Sequence, residues 1–140
     1  MVVLIRSALL LFVVGCSSAP ETKDWLYQQL GAETGVTQLV DGLLVEIEQD
    51  PQIVQHFKDT DIARFRKLLI EQLCELSGGP CRYSGATMQE SHTGFQITQA
   101  DFDNLVDHLI KVMTAQKVPV GAQNRLLAKL APMYKDVVYR

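Results

Sequence analysis

The sequence predicts an all-α domain behind a short targeting segment. Apolar residues recur at helical spacing along most of the chain, and no stretch alternates apolar and polar residues long enough for a strand. Residues 1–15 differ in composition from everything that follows. The chain has 140 residues, 47% of them hydrophobic and 21% charged, with a formal net charge of −3. That supports one core and is too little for two, and the apolar content excludes a disordered chain. The mild acidity argues against a nucleic-acid partner, which calls for a basic face. Three Cys and three His, with no CxxC among Cys16, Cys74 and Cys81, exclude a zinc cluster.

Residues 1–15 read MVVLIRSALLLFVVG. The apolar run at 8–14, with Leu4 and Ile5 before it, is too short to span a bilayer as a mature helix. With Arg6 at its start and a small residue at its end, it follows a secretory signal pattern. Val13-Val14-Gly15-Cys16 resembles the bacterial lipobox, which implies cleavage before Cys16 and lipid on that cysteine. The expected organisation is a lipoprotein signal peptide at 1–15, a lipidated Cys16 and polar tether at 16–24, and a folded domain at 25–140. Residues 17–24 (SSAPETKD) reach about 26 Å when extended, at about 3.3 Å per residue. Ser17 is not acidic, so retention at the inner membrane is not indicated. The expected location is the cell envelope, lipid-anchored at the periplasmic face of the outer membrane, since several acyl chains anchor firmly.

Four amphipathic helices follow. Val36, Leu39, Val40, Leu43, Leu44 and Ile47 form the first stripe, and Pro51 starts a further short helical piece. Ile62, Phe65, Leu69, Leu73 and Leu76 form the second, stopped by Gly78-Gly79-Pro80. Phe102, Leu105, Leu109, Val112 and Met113 form the third, opened by the capping-box pattern Thr98-x-x-Asp101 and ending near Pro119. Leu126, Leu127, Leu130, Met133, Tyr134 and Val137 form the fourth. A plain bundle would join its second and third helices by a short turn. Residues 78–94 instead carry four Gly and a Pro, with a brief helical signal only around 87–92. Long connections of this kind are uncommon in compact domains and are often functional. Cys74 and Cys81 flank the Gly78-Gly79-Pro80 turn in the exported part of the chain, where a disulfide is allowed; two reduced, packed thiols are the alternative.

These features, in this order, resemble the group I truncated haemoglobins from about Leu26 to Val137. Leu26-Tyr27-x-x-Leu30-Gly31 resembles the family's opening. Asp50-Pro51 and then Phe57 resemble its bend over the haem. Gly78-Gly79-Pro80 and Tyr83-x-Gly85 resemble its two glycine motifs, and Met88-x-x-x-His92-x-Gly94-x-x-Ile97-Thr98 its haem-ligand segment. The resemblance implies a two-over-two helical sandwich enclosing haem b, with a diatomic gas as ligand and a reductase as partner.

A proximal His is the usual globin ligand to iron, and the resemblance falls on His92. His108 lies on the flank of its stripe, where solvent exposure is expected; His56 stands near a helix end with no supporting motif. The resemblance further implies that Phe57 packs on the haem face, that Phe65, Leu69 and Leu73 face the iron from the other side, and that Leu105, where related groups carry Trp, borders the pocket. Met88 shares a helix face with His92. Arg64 is either a partner for a haem propionate or a solvated charge, and Tyr83 either covers the haem edge or packs the turn.

The sequence also departs from the family pattern. Many group I members place a Tyr over bound oxygen, often helped by Gln. That position reads Leu44 here, and the companion positions read Phe65 and Leu69, so an apolar distal pocket is expected with Gln72 as its one nearby polar candidate. Tight oxygen storage is then disfavoured. The expected function is a haem-binding globin that binds oxygen, NO or CO reversibly in the cell envelope. A haem enzyme of NO, oxygen or peroxide chemistry, and a haem-free helical lipoprotein, are the alternatives.

Overall fold

The structure, a computed structural model, describes residues 25–140. The expected signal peptide, Cys16 and tether lie outside the described residues. Within them the chain is helical, without strands: α1 (Trp25–Gln29), α2 (Ala32–Gln49), α3 (Pro51–Val54), α4 (Ile62–Leu76), α5 (Met88–His92), α6 (Gln99–Ala115), α7 (Val120–Leu130) and α8 (Tyr134–Val137), with single 3-10 turns at Gln55–Phe57 and Ala131–Met133. None of these helices is long and apolar enough to cross a membrane. The architecture is a two-over-two sandwich. α2 pairs with α4 in one layer and α6 with α7 in the other, where α8 meets α6 through the edge-to-face Phe102 and Tyr134 rings.

The core forms where α2 crosses the others. Val36, Leu39 and Val40 of α2, Leu73 and Cys74 of α4, Met113 of α6 and Leu126 of α7 are all but completely buried. Each such Leu or Val contributes roughly 1.5–3 kcal/mol relative to exposure. The α1–α2 junction is set by Gly35, because a Cβ there would lie 1.9 Å from the Leu30 carbonyl oxygen. α1 docks on α7 with the Arg125 guanidinium 3.7 Å from the centre of the Trp25 ring. The capping box of α6 is present, with the Asp101 N–H donating to Thr98 Oγ1 and the Thr98 N–H to Asp101 Oδ2.

Four sequence expectations need correction or completion. The fourth stripe is not one helix: Pro132 lacks an N–H, and a 3-10 turn separates α7 from α8. α1 was not foreseen. Ile62 is 43% exposed, so it lies outside the buried stripe. His108 is not turned to solvent. Its side chain is 17% exposed and sits between two carboxylates of α2 and its C-cap, with Nε2 donating to Asp50 Oδ2 at 2.7 Å and Nδ1 3.4 Å from Glu46 Oε2. The flank of α6 faces the end of α2, and this contact was invisible in α6 alone.

Asp50 is the hub of that contact. Its Oδ1 accepts the Gln52 N–H, capping α3, while its Oδ2 accepts from Asn104 Nδ2 at 2.6 Å and from His108. These donors, His108 first, hold the Asp50 carboxyl below the ordinary carboxylate value. A depressed carboxylate contributes stability above its unfolded pKa and loses it as pH falls through the folded one. Asp50→Asn should therefore lower the denaturant midpoint at pH 7, and the gap to wild type should close below about pH 4. Denaturant unfolding at pH 7 and pH 3 checks this; a gap of equal size at both would sink it.

Candidate functional site

A cavity of about 380 Å³ lies between the two layers, within the ~300–1,000 Å³ typical of cofactor and small-molecule sites. Its first wall comes from α2 and α4: Leu43 and Ile47, then Phe65, Leu68, Leu69, Gln72 and Leu73. The opposite wall comes from α6, through Phe102, Leu105, Val106 and Leu109. Met88 and His92 of α5 enter from the connector, and Leu130, Met133 and Val137 from the last helices. Phe57 and Phe65 meet edge to face, with ring centroids 5.0 Å apart. Most of the lining is apolar.

α5 has five residues, too few to hold itself. Its N-terminus is closed by a capping box, in which the Glu90 N–H donates to Thr87 Oγ1 and the Thr87 N–H to Glu90 Oε2. The connector before it is strapped to α4. Cys74 and Cys81 form a disulfide. Glu75 accepts the Tyr83 N–H at 3.1 Å, and Glu71 accepts the N–H and hydroxyl of Ser84 at 3.1 and 2.7 Å. Gly79 passes so close to Tyr27 and Cys74 that a Cβ would lie 2.7–2.8 Å from their side chains. This strap sets Tyr83 against the cavity, where its hydroxyl donates to the Ala86 carbonyl at 2.8 Å. Tyr83 therefore both lines the cavity and packs its own turn.

His92 is half-buried at the end of α5. Its Nδ1 lies 2.7 Å from the Met88 carbonyl oxygen. A carbonyl only accepts, so Nδ1 carries the hydrogen, and in the neutral ring Nε2 is the nitrogen with the lone pair. Among the described residues no group of three or more His, Cys, Asp and Glu converges on a metal position. His92 thus offers one nitrogen donor in an apolar cavity, not a chelating cage.

The structure brings together Phe57, Phe65, Leu69, Gln72, Leu73, Tyr83, Met88, His92 and Leu105 around this cavity. Two candidates fall outside it. Leu44 is half-buried against the core, and the wall position belongs to its neighbour Leu43, because one residue turns a helix by about 100°. Arg64 is exposed and lines no part of the cavity, which favours the solvated charge. Gln72 does reach the cavity, but its amide points at sulfur, 3.2 Å from Met88 Sδ and 3.8 Å from Met133 Sδ. His56 and Asp101 line the cavity too, and sequence reasoning missed both. Their signal was present but split, since each lay in a segment already assigned to a bend or a helix cap.

A family profile for bacterial-like globins matches residues 25–139. The chain belongs to that family. This globin is 32% identical over 108 residues to the group 1 truncated hemoglobin GlbN of Nostoc sp. (strain MUN 8820), covering 77% of this chain and 92% of the relative. It is 28% identical over 112 residues to that of Mycolicibacterium paratuberculosis, covering 80% and 82%. Among solved structures it is similar to truncated hemoglobin from Tetrahymena pyriformis in its Fe(III) form, with a TM-score of 0.79 and 25% identity over 82% of this chain and 98% of the other. The 2/2 hemoglobin from Synechococcus sp. PCC 7002, solved in the cyanomet state with covalently attached heme, shares the fold at a TM-score of 0.76 and 21% identity, with the same coverages.

Proposed function

We propose that this globin holds haem b in the cavity between α4 and α6, with His92 as the protein ligand to iron, and binds a diatomic gas (oxygen, NO or CO) reversibly. The observation that supports it most is the state of His92. Its Nδ1–H is committed to the Met88 carbonyl, and its remaining nitrogen is free within an apolar cavity. Iron requires the neutral imidazole, and a hydrogen bond at the other ring nitrogen is what orients such a ligand. Bound haem would supply an iron centre with a coordination position for the gas.

The chain's own residues do the rest. Phe57, Phe65, Leu73 and Leu105 present apolar surface to an apolar macrocycle and keep water from its faces. Met88, one turn before His92, packs on the same side, and the strap through Cys81 and Tyr83 fixes the approach of α5. On the α2–α4 wall, Leu43, Ile47, Phe65, Leu68 and Leu69 offer no hydrogen-bond donor. Gln72, the polar residue of this wall, turns its amide to the Met88 and Met133 sulfurs. A donor to a charged or polarised partner contributes about 1.5–3 kcal/mol, so a wall that aims none at the ligand releases oxygen roughly 10- to 150-fold faster. Neutral, weakly polar ligands such as CO lose less.

The same reading includes a location. The lipobox-like Val13-Val14-Gly15-Cys16 and the polar residues 17–24 support a domain tethered to the envelope membrane through lipid on Cys16, served by a reductase there. Envelope fractionation checks this. Cys16→Ala should shift the protein out of the detergent phase, and unchanged partitioning would sink the tether.

His92→Gly should lose most of its Soret absorbance, and added imidazole should restore part of it. An unaltered Soret band with normal CO binding would overturn His92 as the ligand. On the opposite wall, Leu69→Gln should slow oxygen release about 10-fold or more in stopped-flow displacement by CO. If wild type already releases oxygen slowly and the substitution changes nothing, the apolar-wall reading fails.

A further inference from the structure

The Gln72 amide has donors but no good acceptor. Among the described residues, hydrogen bonds from its Nε2 run to sulfur only, to Met88 Sδ at 3.2 Å and Met133 Sδ at 3.8 Å. A thioether is a weak acceptor. An amide that turns from water toward two of them gives up more than it gains. The cluster also ties separate elements together. Gln72 belongs to α4, Met88 to α5 and Met133 to the 3-10 turn before α8, and all of them line the cavity. Met88 and Met133 are half-buried, whereas Met113 is wholly enclosed in the core. Met88 is the nearer sulfur to the amide and stands one turn before His92.

A sulfoxide oxygen on Met88 supplies the acceptor that this amide lacks. Oxidation turns a flexible apolar side chain into a polar one, and in a core it disrupts packing because no donor meets the new oxygen. Here the donor is in place before the oxygen arrives. We infer that Met88 is a site of reversible oxidation by hydrogen peroxide, with the Gln72 amide donating to the sulfoxide oxygen. The Met88 sulfur attacks one peroxide oxygen with its lone pair. An S–O bond forms as the O–O bond breaks, and the departing hydroxide takes the proton of the transferred oxygen and leaves as water. Sulfur loses two electrons and peroxide gains them. The reverse step belongs to a methionine sulfoxide reductase: a dithiol becomes a disulfide, and the oxygen leaves as water. The modified residue places a strong dipole in a mostly apolar lining, on the helix that carries His92. Neither step needs haem in the cavity.

The test uses the purified protein, reduced, desalted and kept under CO, which occupies the iron of any bound haem. It carries Met133→Leu, so that Met88 and Met113 are the oxidisable methionines of the described residues. After dilute hydrogen peroxide, peptide masses should show one oxygen added to Met88 with Met113 unchanged. A methionine sulfoxide reductase with its dithiol should remove that oxygen. Oxidation should lower the thermal midpoint about 4 °C further in Gln72→Leu than in the protein that keeps Gln72, the size of one hydrogen bond in a domain of this length. Gln72→Asn, whose amide stops one carbon short, should show the same added loss. Oxidation of Met113 in step with Met88 would mean access by unfolding and would overturn the site. An equal loss with and without Gln72 would overturn the part given to its amide, and a sulfoxide that the reductase leaves in place would overturn reversibility. None of these readouts uses the Soret band, so failure of the haem reading and failure of the Met88 site are told apart.

Discussion

Asp101 receives the Thr98 backbone and hydroxyl hydrogens, the Gln52 amide and the approach of His56. Through that one buried carboxylate the first turn of α6 is capped and the α3 turn is held against it. The cavity opens between those same elements, so its inner corner has the geometry that Asp101 imposes. A buried charge is tolerated only when its acceptor sites are filled, and here the filling groups come from two segments about fifty residues apart. Asp50 repeats the arrangement further along α6, capping α3 with one oxygen and reaching Asn104 and His108 with the other. Two carboxylates thus fix how α2 and its following turn cross α6, and the apolar core only has to fill the angle they set.

The connector solves a different problem. A five-residue helix is far below the length at which a helix holds itself in water, yet α5 keeps His92 on the cavity wall. The solution is to attach it at both ends. The disulfide and the carboxylates of Glu71 and Glu75 bind its approach to α4, and the Thr87–Glu90 capping box closes its first turn. Beyond it, Gly94 adopts φ of +91°, a turn that an L side chain would strain. The Tyr139 N–H then donates to the Ile97 carbonyl and ties the exit to the end of the chain. The glycine content that makes this segment look loose in sequence serves close approach and reversal, and its rigidity comes from what it is attached to.

How much of this was legible follows from how each signal is encoded. The long helices were plain because their apolar periodicity is written within one segment, as was the capping box at Thr98. The Cys74–Cys81 pairing could be posed from spacing around a turn, although only geometry could close it. What failed was information held between segments. His108 was read from its own helix face, but the carboxylates that bury it belong to α2 and the turn after it. His56 was set aside for want of a motif, because its partner Asp101 stood forty-five residues away in another role. Leu44 and Leu43 differ by one step on a helix, and a stripe that includes both does not say which one meets the cavity. The fourth stripe kept helical spacing through Pro132 even though the backbone hydrogen bond it requires cannot form there.

The two ends of the cavity differ in polarity. Along the α2–α4 wall a ligand meets Leu, Ile and Phe, which favour neutral molecules and give nothing to a developing negative charge. Gln72 does not change this, since its amide is turned to two thioethers, weak acceptors that leave it poorly anchored but also directed away. At the α3–α6 corner a ligand meets an imidazole whose neighbour is already an anion. That anion, held in place by Thr98 and Gln52, opposes a second negative charge at this end as the apolar wall does at the other, so the cavity as a whole favours neutral molecules over anions.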